Sequence, residues 1–370
     1  MLPCVCSGAR HAHKATELLA RARAALFALL FAVIQASTAG WGSTQVVLGF
    51  VVAAVFMALF LAIEGRTPSP LLRLELFKNR AFAITAFVTV IGMFGFLGTA
   101  YDSSIRLSAI QGFSPLKTSL AFVLIQGFTL ALLPLISYAM PRVNPRWLLG
   151  GGFALIAIGD FWASTVPISH VSIVPMIAPL ALVGIGFAFS VSSVTAVAVN
   201  TVRIPLAGMA SATTSLLRDF GFTMGPAIIA AIALSRAAST IHAKIAASAP
   251  LQHALNGFYG SVAHAPPAQQ PKLAAAVGAV KSGPLGANGV PAVAKLPNGH
   301  TVPLNPLKDV AFHALGSAYS FGYVICGIAA GVSAVLVLSA LRADPHHDAD
   351  ELAEAEAQQY RAAKTEPQYA

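Results

Sequence analysis

Residues 173–199 read IVPMIAPLALVGIGFAFSVSSVTAVAV, a run that contains no charged side chain. An apolar run of about 20 residues is long enough to cross the hydrocarbon core of a bilayer as an α-helix. The backbone in lipid must satisfy its own hydrogen bonds, and without the alternating pattern of a barrel strand the run predicts a helix. One such run could be an anchor, but about eight recur along the 370 residues. The sequence therefore predicts an all-α, polytopic membrane protein with about eight transmembrane helices.

The predicted spans share an apolar composition and are separated by more polar connections. They cover residues 24–39, 44–63, 81–105, 118–140, 147–167, 173–199, 207–234 and 310–341. Hydrophobic residues make up 56% of the chain and charged residues 10%, and the mean hydropathy is +0.72. An average soluble protein has about 25% charged residues. This composition excludes an ordinary soluble protein.

The positive charge of the chain is concentrated between the spans. The net charge is +9, and the Lys and Arg residues lie mainly in a leader at 1–23, in a basic linker at 64–80 and in later turns on the same side. Cytoplasmic loops carry such an excess, so we expect both termini in the cytoplasm of a multi-pass inner-membrane protein. Because these residues set topology, we expect no nucleic-acid partner.

Two segments differ from the spans in composition. Residues 235–309 are rich in Ala, Pro and Gly and contain no long apolar stretch. We expect an external, mobile loop there, with room for short helices. Residues 342–370 are polar and acidic and predict a solvated cytoplasmic tail.

Three short stretches carry a family resemblance. They are PLLRLELFKNRAF at 70–82, GFSP at 112–115, and IPLAGMAS at 204–211, which is followed by LRDFG at 217–221 and by Gly225. Their order and spacing resemble the fourteen-span drug:proton antiporter branch of the major facilitator superfamily, the EmrB/QacA type. That family has two six-helix bundles joined by two linker helices.

The resemblance implies a place in the family fold for each part of the chain. Residues 24–63 would be the two linker helices, and residues 81–341 the six-helix C-terminal bundle. No counterpart of the N-terminal bundle is recognised in the sequence. A truncated or misread gene is one explanation, and a naturally short half-transporter is the other.

The resemblance also implies a function. It points to a secondary active transporter that couples efflux of lipophilic drugs or metabolites to the proton gradient, without a bound cofactor. The expected partners are the lipid bilayer, a small lipophilic substrate, and a missing N-terminal bundle or a partner transporter. With one bundle, we expect no transport by the chain alone. The alternative is a non-transporting membrane remnant or a regulatory partner of a full transporter. The spans show no catalytic or metal-ligand cluster, so we expect no enzyme and no metal site.

Ionisable residues inside spans are candidates for function because they are costly in lipid. Arg218 and Asp219 lie about twelve residues into the seventh span, which is about 18 Å along a helix. Asp219 is the candidate for the proton-carrying group, and Arg218 would tune it or contact an anionic substrate. The alternative is a helix that begins near Thr213, with both side chains snorkelling to the cytoplasmic interface.

Three further charged residues lie near the outer ends of spans. Asp102 and Arg106 are one helical turn apart, a spacing that favours an ion pair. The pair would serve an outer gate or the substrate, or it would be structural at the interface. Asp160 lies in the fifth span, which is peripheral in the family, and we expect it to be solvated at the interface.

The central cavity is expected between spans three, four, six and seven, as the resemblance implies. An apolar wall with a few polar groups suits lipophilic ligands of variable shape. The candidate lining residues are Phe94, Gln126, Phe187, Ser190 and Ser193. The alternative for the serines is tight helix packing, and for the phenylalanines lipid or core contact.

The turn after the fourth span contains Arg142 and Arg146. By resemblance, this loop braces the cytoplasmic gate by charge pairing with helix ends. Pro141 stands where the family has an acidic residue, which weakens that expectation. The alternative is that both arginines only mark the cytoplasmic side.

Overall fold

The computed structural model describes residues 27–35, 42–64, 74–169, 172–202, 204–264, 267, 269–295 and 301–341. The labelled α-helices are α1 (Thr44–Glu64), α2 (Arg80–Ser104), α3 (Pro115–Ala131), α4 (Leu133–Ala139), α5 (Pro145–Thr165), α6 (Val174–Asn200), α7 (Ala207–Ala247), α8 (Ala249–His264), α9 (Gln270–Lys281), α10 (Pro284–Gly289) and α11 (Lys308–Ala340). Residues 27–35 are also helical.

Short irregular elements join these helices. Leu74–Lys78 and Ile204–Leu206 form 3₁₀-helices, and Ile105–Ile110 continues α2 as a π-helix. Strand β1 (Val293–Lys295) pairs antiparallel with β2 (Thr301–Pro303).

Five helical segments of the described chain are long and apolar enough to cross a membrane. They are α2 with its π-helical extension, α5, α6, α7 and α11. The pair α3 and α4, bent by 43°, is a sixth if it forms one span. The apolar stretch of α1 is shorter, and much of the predicted span 24–39 lies outside the described residues. The all-α, polytopic membrane-type fold is confirmed.

Caps fix the start of two spans. The Asn79 side chain accepts a hydrogen bond from Ala81 N at 2.9 Å, which caps the first turn of α2. Its Nδ2 donates to the Thr201 carbonyl at 2.6 Å, just after α6 ends. Asn144 caps α5 in the same way. The start of α2 and the end of α6 therefore lie at the same end of the bundle.

Small residues allow close helix packing in the bundle. Helix α5 packs against α6 and α11, and α2 packs against α7 and α11. A Cβ added to Gly152 of α5 would lie 2.7 Å from the Gly186 carbonyl of α6. A Cβ added to Gly225 of α7 would lie 2.8 Å from Gly98 N of α2. Such contacts replace the hydrophobic effect as the main driving force for helix association in lipid.

The segment 235–309 contains more regular structure than its composition suggested. Helix α7 continues to Ala247, because its Ala-rich sequence favours a helix. Helices α8, α9 and α10 and the hairpin follow, and we call these elements the cap. Apolar side chains of the three cap helices pack against the end of α7 and the start of α11 in a second hydrophobic core.

Hydrogen bonds attach the cap to the bundle. Asn288 Nδ2 donates to the Ala109 carbonyl at 2.9 Å, at the end of the π-helix. Lys308 Nζ, in the first turn of α11, donates to the Asn288 carbonyl. Asn288 therefore connects α10, α2 and α11.

Candidate functional site

Polar side chains lie buried between α2, α5 and α11, in the apolar interior of the bundle. We call this group the buried polar cluster: Thr99, Asp102, Ser103, Arg106, Asp160 and Tyr323, each at most 1% exposed. The four members from α2 and its π-helical extension follow the spacing i, i+3, i+4, i+7, which places residues on one helix face. That face points toward α5 and α11.

Hydroxyl groups connect the three helices of the cluster. Thr99 Oγ1 lies 2.7 Å from Asp160 Oδ1 of α5. Ser103 Oγ lies 2.9 Å from Tyr323 Oη of α11. Buried polar groups are hydrogen-bonded as a rule, and these two bonds connect the polar face of α2 to both neighbours.

Arg106 binds the end of α5. Its Nη2 donates to the Val166 carbonyl at 2.5 Å and its Nη1 to the Ala163 carbonyl at 3.5 Å. Carbonyl groups at a helix C-terminus carry partial negative charge and favour a cation there. Arg106 therefore satisfies two carbonyl groups at the C-terminal end of α5.

The ion pair predicted between Asp102 and Arg106 does not form. Among the described residues, the ion pair with a nitrogen–oxygen distance within 4.0 Å joins Arg218 and Asp219 instead. The spacing argument assumed an α-helix, but the π-helix begins at Ile105 and widens the turn. Neither residue lies at a solvated interface, because both are buried.

Asp102 points toward the backbone of α11. A Cβ added to Gly322 would lie 2.6 Å from Asp102 Oδ2, so glycine leaves the room that the carboxylate occupies. Neither Asp102 oxygen meets strict hydrogen-bond geometry, although the backbone N–H of Tyr323 lies close enough to interact with the carboxylate. Asp160 Oδ2 also lacks a partner among the described residues. Buried polar atoms without a hydrogen-bond partner are uncommon in native proteins.

Arg218 and Asp219 form a separate site on α7. Asp219 lies twelve residues after Ala207, where α7 begins, and not near the start of the helix. Arg218 Nε lies 3.7 Å from Asp219 Oδ1, and the side chains are 27% and 67% exposed. Leu216 and Thr223 are exposed on the same face. This face of α7 is open in the described chain.

Aromatic rings gather where α2, α6 and α7 meet. The rings of Phe96 and Phe187 stack with centroids 3.5 Å apart and planes at 6°. The ring of Phe222 lies 6.3 Å from each. Phe222 is three residues after Asp219, so the rings lie beside the open face of α7.

The remaining cavity candidates lie on different surfaces. Ser190 is buried where α6 meets Gly152 of α5, and its hydroxyl lacks a hydrogen-bond partner. Ser193 is also buried, with an unpartnered hydroxyl. Phe94 is half-buried on α2, and Gln126 is exposed on α3. Of the five candidates, the structure brings Phe187 into the aromatic group.

The two loop arginines make different contacts. Arg142 donates to the Tyr138 carbonyl at 2.9 Å, and its guanidinium lies 3.7 Å from the ring centroid of the same residue. Arg146 Nη1 donates to the Leu341 carbonyl at 3.4 Å, just after α11 ends. Arg146 connects two helices, whereas Arg142 contacts its own turn.

Comparisons with known proteins point to one class. Multidrug resistance protein Stp of Mycobacterium tuberculosis is 26% identical over 226 residues, which are 61% of this chain and 42% of Stp. The uncharacterized MFS-type transporter Rv1250 of the same organism is 29% identical over 220 residues, 58% of this chain and 37% of that protein. The tetracenomycin C resistance and export protein of Streptomyces glaucescens is 26% identical over 329 residues, 88% of this chain and 56% of that protein. No family model matches the chain.

The homologues of this chain are MFS-type multidrug transporters. The sequence resemblance to that superfamily is therefore confirmed, and the chain spans about half the length of these relatives. The three relatives are named as a multidrug resistance protein, an MFS-type transporter and an antibiotic resistance and export protein.

Sequence reasoning missed part of the buried polar cluster. Asp160 was expected at a solvated interface, but it is fully buried. Tyr323 was not recognised at all. A signal was present, because Thr99, Asp102, Ser103 and Arg106 form a polar stripe at helical spacing within an apolar span.

Proposed function

We propose that this chain is part of a secondary active transporter that exports lipophilic drugs or metabolites in exchange for protons. The observation that carries the proposal is Asp219, a carboxylate on the open face of α7, in a chain whose homologues are multidrug transporters. A carboxylate inside a membrane span is costly and is a functional candidate by default. We propose Asp219 as the group that takes the exchanged proton.

The surroundings of Asp219 suit a lipophilic cation. Phe222 lies one turn further along α7 and contacts the stacked rings of Phe96 and Phe187. Aromatic faces bind apolar groups and attract cations. Arg218, 3.7 Å from the carboxylate, competes with a cationic substrate or a proton for Asp219. Substrate and proton would then occupy the site alternately, which is the basis of exchange.

A complete transport cycle requires a second bundle. In such folds the site lies between two bundles, and one rocks against the other. The described residues provide one bundle with an open α7 face. We propose that a second bundle completes the site, supplied by a longer form of the protein or by a partner transporter. On the same pattern, both termini lie in the cytoplasm at the inner membrane.

The test introduces a substitution of Asp219 into the chromosomal gene of the source cell. The chromosomal variant Asp219→Asn should raise ethidium accumulation and drug sensitivity to the level of a gene deletion. The matched control is Asp309→Asn, an exposed carboxylate at the start of α11, which should behave as wild type. An unchanged phenotype in Asp219→Asn, with a phenotype in the deletion, would favour the regulatory alternative.

A second experiment examines the 370 residues alone. The purified chain in proteoliposomes, with an imposed proton gradient, should not export ethidium. Gradient-driven efflux from these liposomes would show that no second bundle is needed.

A further inference from the structure

Thr99 is within hydrogen-bond distance of two oxygen atoms, one of a backbone carbonyl and one of a carboxyl group. Its Oγ1 lies 3.0 Å from the Gly95 carbonyl and 2.7 Å from Asp160 Oδ1. A hydroxyl group has one hydrogen and therefore donates one bond, but it can also accept. A carbonyl never donates, so the hydroxyl hydrogen of Thr99 goes either to an ionised Asp160 or to Gly95. In the second arrangement the short contact with Asp160 is satisfied when the carboxyl group supplies the hydrogen.

The same chain of bonds repeats one turn further along α2. Ser103 Oγ lies 2.8 Å from the Thr99 carbonyl and 2.9 Å from Tyr323 Oη. Ser103 can donate to the carbonyl and accept from Tyr323. In that arrangement each hydroxyl donates within α2 and accepts from a neighbouring helix, and Asp160 occupies the donor position that Tyr323 occupies at the next turn.

We propose that Asp160 holds a proton in this conformation and that the buried polar cluster is a proton-binding site, separate from Asp219. The charges of the cluster support this assignment. Two ionised carboxylates, Asp102 and Asp160, with one guanidinium, Arg106, sum to −1, and one added proton brings the sum to 0. A net charge buried in a low-dielectric interior is strongly disfavoured. We assign the proton to Asp160, because its Oδ1 lies 2.7 Å from Thr99 Oγ1, which can accept it.

Among the described residues, no basic nitrogen lies within 4.0 Å of either carboxylate. The ionisable side chains nearby are Tyr101 on α2 and Tyr319, Tyr323 and Cys326 on α11, all of which are neutral or acidic groups. Helix α6, which also packs against α5, has no ionisable residue. On α7, Arg236 lies over the ring of Phe321, 4.2 Å from its centroid.

The position of the site suggests how the proton is exchanged. Thr99 is on α2 and Asp160 on α5, and Arg106 holds the last turn of α5 through Val166 and Ala163. A movement of α5 away from α2 would break the Thr99 bond, admit water from the outer end and release the proton. This role in transport rests on the proposed function, whereas the protonation of Asp160 does not.

The experiment measures the protonated carboxyl group directly. Infrared spectra of the purified chain in nanodiscs, with and without ¹³C-labelled aspartate, identify the carbonyl stretch of protonated aspartic acid. The band should be present at neutral pH, be lost in Asp160→Asn and persist in Asp219→Asn. Absence of the band from the wild type at neutral pH overturns the proposal. Loss of the band in Asp102→Asn, with persistence in Asp160→Asn, also overturns it.

A milder variant guards against misfolding of Asp160→Asn. Thr99→Val keeps the shape of the side chain and removes the hydroxyl oxygen that accepts from Asp160. The band should remain and shift to higher frequency, because the carboxyl loses its hydrogen-bond acceptor. An unshifted band in Thr99→Val would show that the proton is not on the carboxyl group bound to Thr99. These spectra need no transport, so a failure of the efflux proposal would leave them interpretable.

Discussion

Thr99 Oγ1 lies 2.7 Å from Asp160 Oδ1, which joins α2 and α5 inside the apolar bundle through side chains 61 residues apart in sequence. This bond is at the centre of the buried polar cluster, with Ser103 and Tyr323 one turn away. The open face of α7 holds the other carboxylate of interest, Asp219. The bundle therefore has an internal polar site and a separate exposed one, which makes their roles separable by mutation.

Gly322→Ala should destabilise the bundle. A Cβ at this position would lie 2.6 Å from Asp102 Oδ2, so the carboxylate or α11 must shift. Overpacking of this kind costs about 1–3 kcal/mol. Thermal unfolding of the purified chain in detergent should show a lower Tm. Gly331→Ala on the same helix, where the nearest atom would be 3.8 Å away, should leave Tm unchanged. Equal effects of the two changes would contradict the packing of Asp102 against Gly322.

Phe96→Ala should leave a cavity in the aromatic group. Phe96 is 1% exposed and stacks on Phe187, and deletion of a buried aromatic ring costs about 3–5 kcal/mol. Phe87→Ala on the same helix removes a ring that is 55% exposed and should change Tm far less. The Tm of each purified variant in detergent, measured by thermal unfolding, gives the comparison. A larger effect at Phe87 would show that the stack is not part of the core.

Asn288→Ala should loosen the cap. The variant loses the bonds to the Ala109 and Ile110 carbonyls, and unpartnered buried polar groups cost about 1–3 kcal/mol. Limited proteolysis and hydrogen exchange should show faster cleavage and exchange over 270–295. Asn256→Ala on α8 removes an exposed amide of the same kind and should have no such effect. Unchanged exchange in Asn288→Ala would mean that apolar packing alone holds the cap.

Helix positions were largely predictable from hydropathy. The predicted spans 44–63, 147–167 and 173–199 agree with α1, α5 and α6 to within a few residues. The lipid environment explains this agreement, because each span must be apolar and must satisfy the hydrogen-bonding groups of its own backbone. The extension of α7 to Ala247 was missed, because outside the membrane an alanine-rich helix has no hydropathy signal.

The contacts of the charged residues were less predictable. The i, i+4 argument for Asp102 and Arg106 failed because a π-helix begins between them, and no sequence pattern indicated it. The burial of Asp160 was not predictable, because its partner Thr99 lies on a helix that is distant in sequence. Arg146 donates to the Leu341 carbonyl just after α11 ends, and its role in a cytoplasmic gate stays a prediction.

Drug-induced proton release tests the central claim, exchange of drug for protons, most directly. Everted membrane vesicles of the source cell are energised, and an acridine dye reports the pH gradient. Addition of ethidium should partly collapse the gradient in wild-type vesicles, and not in vesicles from Asp219→Asn or from the gene deletion. Asp309→Asn should behave as wild type. An equal response to ethidium in wild-type and deletion vesicles would contradict proton-coupled export by this protein.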